Sequence, residues 1–294
     1  MPSTRELRLR IRSIKNLAQV TKALETVSAS KVRRAVQANK ATQPYSEKAW
    51  KVLVHLARQP GHNSLHPLLA ERKLDGRVLV VMISSDRGLA GSYNVNILRE
   101  TLEYFREFEY PISYVAVGRK GRDLLIRRRK DVIADFSNLP TPLAFNDVSA
   151  IGRLVVDDFL ADKFDAVYVA STRFINMVKQ TPEITQLLPL RVTYGEDHDP
   201  ATTHATKSVF TYEPDQNELL SEIVPRFTAL QIYQAILSSQ ASEHAARMVA
   251  MRNATDNVKD LVGSLQLEYN KLRQSMITSD MLDIAGGANA LAQD

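Results

Sequence analysis

One repeat constrains this chain more than any other feature. From Ile223, alternating steps of four and three residues pass through Phe227, Leu230, Gln234, Leu237, Ala241, His244, Met248, Met251, Thr255, Val258, Val262, Leu265, Tyr269, Leu272, Met276 and Ser279. Most of these residues are apolar and none carries a fixed charge. A spacing of 3.5 residues held for about eight heptads calls for a helix that supercoils left-handedly against a partner helix. Asp215 or Asn217 can cap its start, and Gly286-Gly287 is expected to end it. At 1.5 Å per residue, roughly 70 helical residues extend on the order of 100 Å. A compact body made from the middle of the chain would be only about 40 Å across. The helix is therefore expected to protrude and to need cover along its length.

That cover comes from the other end of the chain. Residues from Thr4 to about Arg58 contain no glycine and one internal proline, Pro44, where a kink or brief break is expected. Leu7, Ile11, Ile14, Ala18 and Thr21 form one face, flanked by a second row at Leu17, Val20, Leu24 and Val27. Ser3 or Thr4 can cap the start, with Glu6 in the first turn. The two terminal segments, 1–58 and 212–294, are expected to pair as one long antiparallel coiled coil, with residues 76–211 forming a separate central domain.

The middle alternates strand and helix signals. The run RVLVVMIS reads as a buried strand, followed by a helix in NVNILRETLEYFREFE. ISYVAVG, KDVIADF and FDAVYVAST read as further strands, separated by helices in RKGRDLLIRR and in residues 146–162, the latter capped by Asn146 or Asp147. RFINMVKQTPEITQLLPL reads as an antiparallel hairpin with Thr181-Pro182 in its turn. The alternation predicts a Rossmann-like, mostly parallel α/β sheet covered by helices on both faces.

Composition narrows the chemistry. There is no cysteine, which removes disulfides, thiolate zinc sites and thiol nucleophiles together. Six histidines show no metal-ligand spacing, and no nucleophile–base set or close carboxylate pair stands out. No apolar run reaches the about 18 residues that span a bilayer, and no secretory-type apolar region follows the first residues. The Arg-rich start opens a helix, so it is not read as a transit peptide. Thirteen Lys/Arg from Arg5 to Arg58 stand against Glu6, Glu25 and Glu47. Such a segment suits an acidic partner, be it nucleic acid, anionic lipid or acidic protein loops, or is simply a solvated basic face.

The stretch SSDRGLAGSYN, residues 84–94, sits at the first strand–helix turn, where a doubly wound sheet binds its ligand. It matches neither of the glycine-rich phosphate loops, and Asp86 stands where a phosphate would go. Ser85 or Asp86 is expected to cap the following helix, with Gly88 and Gly91 permitting close packing. At the far end of the chain, Arg273-Gln274 is followed by Met276, Ile277, Met281, Leu282 and Ile284. The first helix is too short to cover these residues, so they should form an exposed apolar tip suited to a socket with few directional bonds.

Five stretches together resemble one family over essentially the whole chain: IRSIKNLAQVTKALETVSASKVRRA, SSDRGLAGSYN, YEPD at 212–215, SEHAARMVAMRNATDNV and YNKLRQSMITSDMLDIAGGANAL. The chain resembles the γ subunit of the F-type ATP synthase. The resemblance implies a rotating central shaft without catalytic residues or cofactor, enclosed by three α and three β subunits and resting with ε on the c-ring. It implies that proton flow turns the shaft, that no nucleic acid is bound, and that the chain lies at the cytoplasmic face of a bacterial plasma membrane, peripheral and held through the complex. Carried over by position, Lys22, Ala23 and Leu24 meet an acidic loop of β, and Arg273 and Gln274 form a polar catch with another. Met276, Ile277, Met281, Leu282 and Ile284 form the apical bearing. Asp86, Arg87 and Gly88, with Tyr212 and Glu213, contact ε or the c-ring. The chain has Leu24 and Thr26 where relatives often carry methionine, and LAGS where a cysteine-glycine pair is common.

Overall fold

The computed structural model describes residues 3–57, 68, 76–190 and 216–291. Helix α1 covers Thr4–Ala57 and helix α5 covers Gln216–Leu291. Between them lie β1 (Val78–Ile83), α2 (Tyr93–Tyr104), β2 (Ile112–Val117), α3 (Arg119–Arg127), β3 (Asp131–Phe136), α4 (Phe145–Leu160), β4 (Ala166–Phe174) and β5 (Gln180–Leu188). Two compact units result: Met1–Ala29 with Arg247–Asp294, and Ser30–Ala246. Each terminal helix contributes residues to both.

The first unit is a two-helix antiparallel pair. Leu7 and Ile11 bury against Leu265, with Ile14, Val262, Tyr269 and Leu272 packed around them. Further along, the Thr255 hydroxyl donates to Thr21 Oγ1 at 2.7 Å, and Thr21 donates to the Ala18 carbonyl. Moving from Thr21 back to Arg8 on α1 corresponds to moving from Thr255 forward to Tyr269 on α5, where the Arg8 guanidinium meets the Tyr269 hydroxyl at 2.7 Å. From Met251 to Leu272 the least exposed residues include Thr255, Val258, Val262, Leu265 and Tyr269, as the four–three repeat predicts. The flanking row of Leu17, Val20 and Val27 is exposed.

The second unit holds a five-stranded sheet of order β3-β2-β1-β4-β5. β1, β2, β3 and β4 run parallel; β5 is antiparallel to β4 at one edge. Side chains of successive strand residues point to opposite faces. Val78, Val80 and Met82 therefore face Ile97, Leu98 and Leu125 of α2 and α3. Leu79, Val81 and Ile83 face Ile151, Val155 and Phe159 of α4 and Val224, Phe227 and Leu237 of α5. Trp50 of α1 stacks on Phe227, with ring centroids 5.6 Å apart. Gly152 is required here: a Cβ on it would lie 2.6 Å from Ala229 Cβ, so its absence lets α4 and α5 approach closely.

Two local expectations need correction, and two pairs of alternatives are narrowed. Thr181 and Pro182 lie inside β5, opposite Arg173 and Thr172, and the hairpin turn is formed by residues 175–179 instead. Pro182 is tolerated because β5 is an edge strand, where a missing N–H need not be paired. Helix α1 runs through Pro44 without a break. Helix α5 runs through Gly286 and Gly287 to Leu291, since two glycines lower helix propensity without forbidding it. Asn217 lies within α5, which begins at Gln216, and the alternative cap Asp215 falls outside the described residues.

Candidate functional site

The chain leaves β1 toward one edge of the sheet and returns in β4 on the other side of β1. In such sheets ligands bind in the crevice beyond the carboxyl ends of these strands. Here that crevice is filled by the protein itself. The Asp86 carboxylate accepts the backbone N–H groups of Arg119 and Asn138, both at 3.0 Å. The Ser85 carbonyl accepts the Lys120 N–H at 2.9 Å, and Ser84 Oγ accepts the Gly121 N–H at 2.8 Å. The donors at the start of α3, which would otherwise attract an anion, are thereby taken. Gly118 has φ of 101°, and a Cβ there would collide with the Ser84 carbonyl, so the turn and α3 can close together only over glycine.

On the β4 side, α5 plugs the crevice. Pairing of β4 to β1 ends at Ala170. Beyond it, the Thr172 N–H donates to Ser239 Oγ and the Phe174 N–H to Ser238 Oγ, both at 3.0 Å. Ser242 Oγ donates to the Thr172 carbonyl at 3.1 Å, and the Tyr93 hydroxyl donates to the Ser239 carbonyl at 3.2 Å. Three hydroxyl side chains on one helix thus do for the strand end what a neighbouring strand would do. Sequence reasoning missed Ser238, Ser239 and Ser242. The signal is the run SSQAS inside an otherwise apolar helix face.

The turn also differs in detail from expectation. Asp86 caps α3 rather than α2, while Ser85 accepts a hydrogen bond from the Asn94 side chain at 2.7 Å. Gly88 has room for a side chain, its nearest neighbour being a Lys120 carbon at 3.8 Å from an added Cβ. Arg87 and Leu89 are exposed, as are Gly91 and Ser92 further along the turn. Tyr212 and Glu213 lie outside the described residues.

The remaining candidate residues are on the two-helix unit. Lys22 and Ala23 are exposed and Leu24 is half-buried; Lys22 Nζ donates to Glu25 at 3.0 Å, a surface pair. Arg273 and Gln274 are exposed. Extending the helix register places Thr4, where α1 begins, opposite about Leu272, the last shielded residue of α5 up to Ala285. Met276 and Ile277 are therefore bare, and Met281, Leu282 and Ile284 are 65%, 66% and 74% exposed. Arg5, Arg8, Arg10, Arg12, Lys15 and Lys22 make the α1 side of this unit basic, against Glu6 and Glu25. Among the described residues, no helix is long and apolar enough to cross a membrane.

Comparison with known proteins follows the same lines. A family model described as ATP synthase matches residues 3–291. The ATP synthase gamma chain of Roseiflexus sp. (strain RS-1) is 43% identical over 296 residues, covering 100% of both chains. That of Dehalococcoides mccartyi (strain CBDB1) is 42% identical, covering 99% of this chain and 100% of the relative. In fold, the chain resembles one in the Euglena gracilis mitochondrial ATP synthase (OSCP/F1/c-ring), with a TM-score of 0.67 at 21% identity, covering 98% of this chain and 94% of that one. It also resembles one in the central stalk/c-ring of the Tetrahymena thermophila mitochondrial enzyme, with a TM-score of 0.60 at 24% identity, covering 80% and 99%. Its paired terminal helices, its plugged sheet and its similarity from end to end give one conclusion: the chain belongs to the ATP synthase gamma chain family.

Proposed function

We propose that the chain is the rotating central shaft of an F-type ATP synthase. It couples transmembrane proton flow to ATP synthesis and hydrolysis on β subunits, and holds no catalytic residue itself. The observation that carries this reading is the end of the α1–α5 seam. Past Leu272 the helix presents apolar residues that no described part of its own chain covers, which suits insertion into a socket built by other subunits. A single asymmetric rod inside a three-fold ring of α and β subunits presents a different face to each β. Turning it changes which nucleotide state each β favours, as an effector with differential affinity would.

Within this reading Lys22, Ala23 and Leu24 meet an acidic loop of β. The surrounding cations attract that loop without fixing one geometry, which suits a moving contact. Arg273 and Gln274 form a second, polar contact, and Met276, Ile277, Met281, Leu282 and Ile284 form the bearing. The turn at Asp86, Arg87 and Gly88, with Tyr212 and Glu213, serves the foot, against ε or the c-ring. Asp86 shapes that turn from within, and Arg87 supplies its exposed charge. The complex places the chain at the cytoplasmic face of a bacterial plasma membrane, peripherally. The filled crevice weighs against a nucleotide-dependent enzyme.

The test is ATP hydrolysis and ATP-driven proton pumping by the reconstituted complex. Arg273→Ala or Gln274→Ala should lower coupled activity about threefold to tenfold, the loss expected for about 1 kcal/mol at one polar contact. Wild-type rates in both variants would count against the catch.

A further inference from the structure

At the end of the sheet opposite the filled crevice lies a cleft of about 490 Å³, within the size range of small-molecule sites. Phe105, Phe108, Ile112 and Tyr114 supply its wall. Arg106, Arg128 and Lys130 line it too, and no Asp or Glu among the described residues does. None of these three cations has an ion-pair partner among the described residues, although the chain pairs cations elsewhere, as in Arg122 with Asp123 and Asp135. Tyr114 is fully buried, and its hydroxyl has no hydrogen-bond partner among the described residues. Burying a hydroxyl without a partner is unfavourable, so this wall keeps an unmet polar demand beside an apolar surface.

We propose that this cleft binds a small organic phosphate: an anion held by Arg106, Arg128 and Lys130 with an apolar body lying against Phe105 and Phe108. Two guanidinium groups and an ammonium lining one cleft, with no carboxylate among its lining residues, suit an oxyanion rather than a cation or a neutral ligand. The aromatic wall adds a surface that inorganic phosphate cannot use, and so distinguishes an organic phosphate from the free ion. This site lies apart from the crevice that the protein fills and includes none of the contact residues named above.

The same cations could instead only complement the carbonyl ends of α2 and α3, which finish beside Arg106 and Arg128. Titration calorimetry of the full chain separates the two. The probes are 1-naphthyl phosphate, hexyl phosphate and inorganic phosphate. Naphthyl or hexyl phosphate should bind at least tenfold more tightly than inorganic phosphate, and the better of the two tells whether the natural ligand carries a ring or a chain. The combined Arg106→Ala, Arg128→Ala, Lys130→Ala variant should lose at least tenfold in affinity while keeping its circular dichroism spectrum. Phe108→Ala should weaken the organic phosphates and leave inorganic phosphate unchanged. No binding, equal binding of all three probes, or binding untouched in the triple variant would overturn the proposal. If the triple variant fails to fold, Lys130→Glu alone decides: unchanged affinity for the organic phosphates overturns it.

Discussion

Between Val224 and Ala245 helix α5 is buried on most of its circumference, whereas between Met251 and Leu272 only every third or fourth residue is shielded. The four–three repeat is the same in both stretches. The difference lies in the residues off the repeat. In the first stretch they are Ala229, Ile232, Tyr233 and Ile236, which pack on several sides, and Ser239 and Ser242, which satisfy β4. In the second they are Arg252, Asp256, Lys259, Asp260 and Glu268, which need water. A heptad states the least a helix must bury. What it buries beyond that depends on the positions between, and here one helix serves as core in one unit and as one strand of a rope in the other.

Substitutions can break this comparison in order of size. Phe159→Ala, in the fully buried face of α4, should cost about 3–5 kcal/mol because the surrounding sheet cannot collapse into the space. Urea unfolding of the full chain followed by circular dichroism measures it, and a cost under 1 kcal/mol would mean the core is looser than described. Leu265→Ala should cost less, about 2–3 kcal/mol, since a two-helix seam relaxes more easily. Hydrogen exchange should show the loss in residues of α1 and α5 in that unit and spare the sheet.

Ser239→Ala tests the plug. It leaves the Thr172 N–H without its partner and should cost about 1–3 kcal/mol, with faster exchange of the Thr172 amide. The pair Thr21→Val with Thr255→Val should be close to neutral, within about 1 kcal/mol, because removing both partners strands neither. Each single change can be compared in a double-mutant cycle. Leu282→Ala, on the bare tip, should change the stability of the isolated chain by less than about 0.5 kcal/mol. A larger effect would reveal intramolecular cover that the seam register does not allow.

Much of this was legible before any coordinates. The periodicity of α5 named the residues that line the seam between Met251 and Leu272, because a two-helix interface leaves only one way to turn an apolar stripe. But it ran on unchanged from Ile223 through a stretch that packs as sheet core instead. The bare tip followed from comparing the lengths of two helices. The sheet followed from apolar runs that alternate with helices. Local turn chemistry was harder to place. Asp86 has the right type and spacing to cap α2, yet its carboxylate serves α3, because crossover β2 brings that helix start next to the same turn. Thr181-Pro182 has turn composition and still lies in a strand, because an edge position removes the objection to proline.

The sequence by itself determined the elements, the pairing of the chain's ends and the family, since these depend on the period of apolar residues and on long specific stretches. Only the tertiary structure decided that the ligand crevice of the sheet is closed. That closure requires Ser238, Ser239 and Ser242 to meet the end of β4 from 64 to 70 residues away in the chain. Hydrogen bonds between such distant groups leave no periodic trace, because any serine that faces a strand end can make them and the chain does not record which one will.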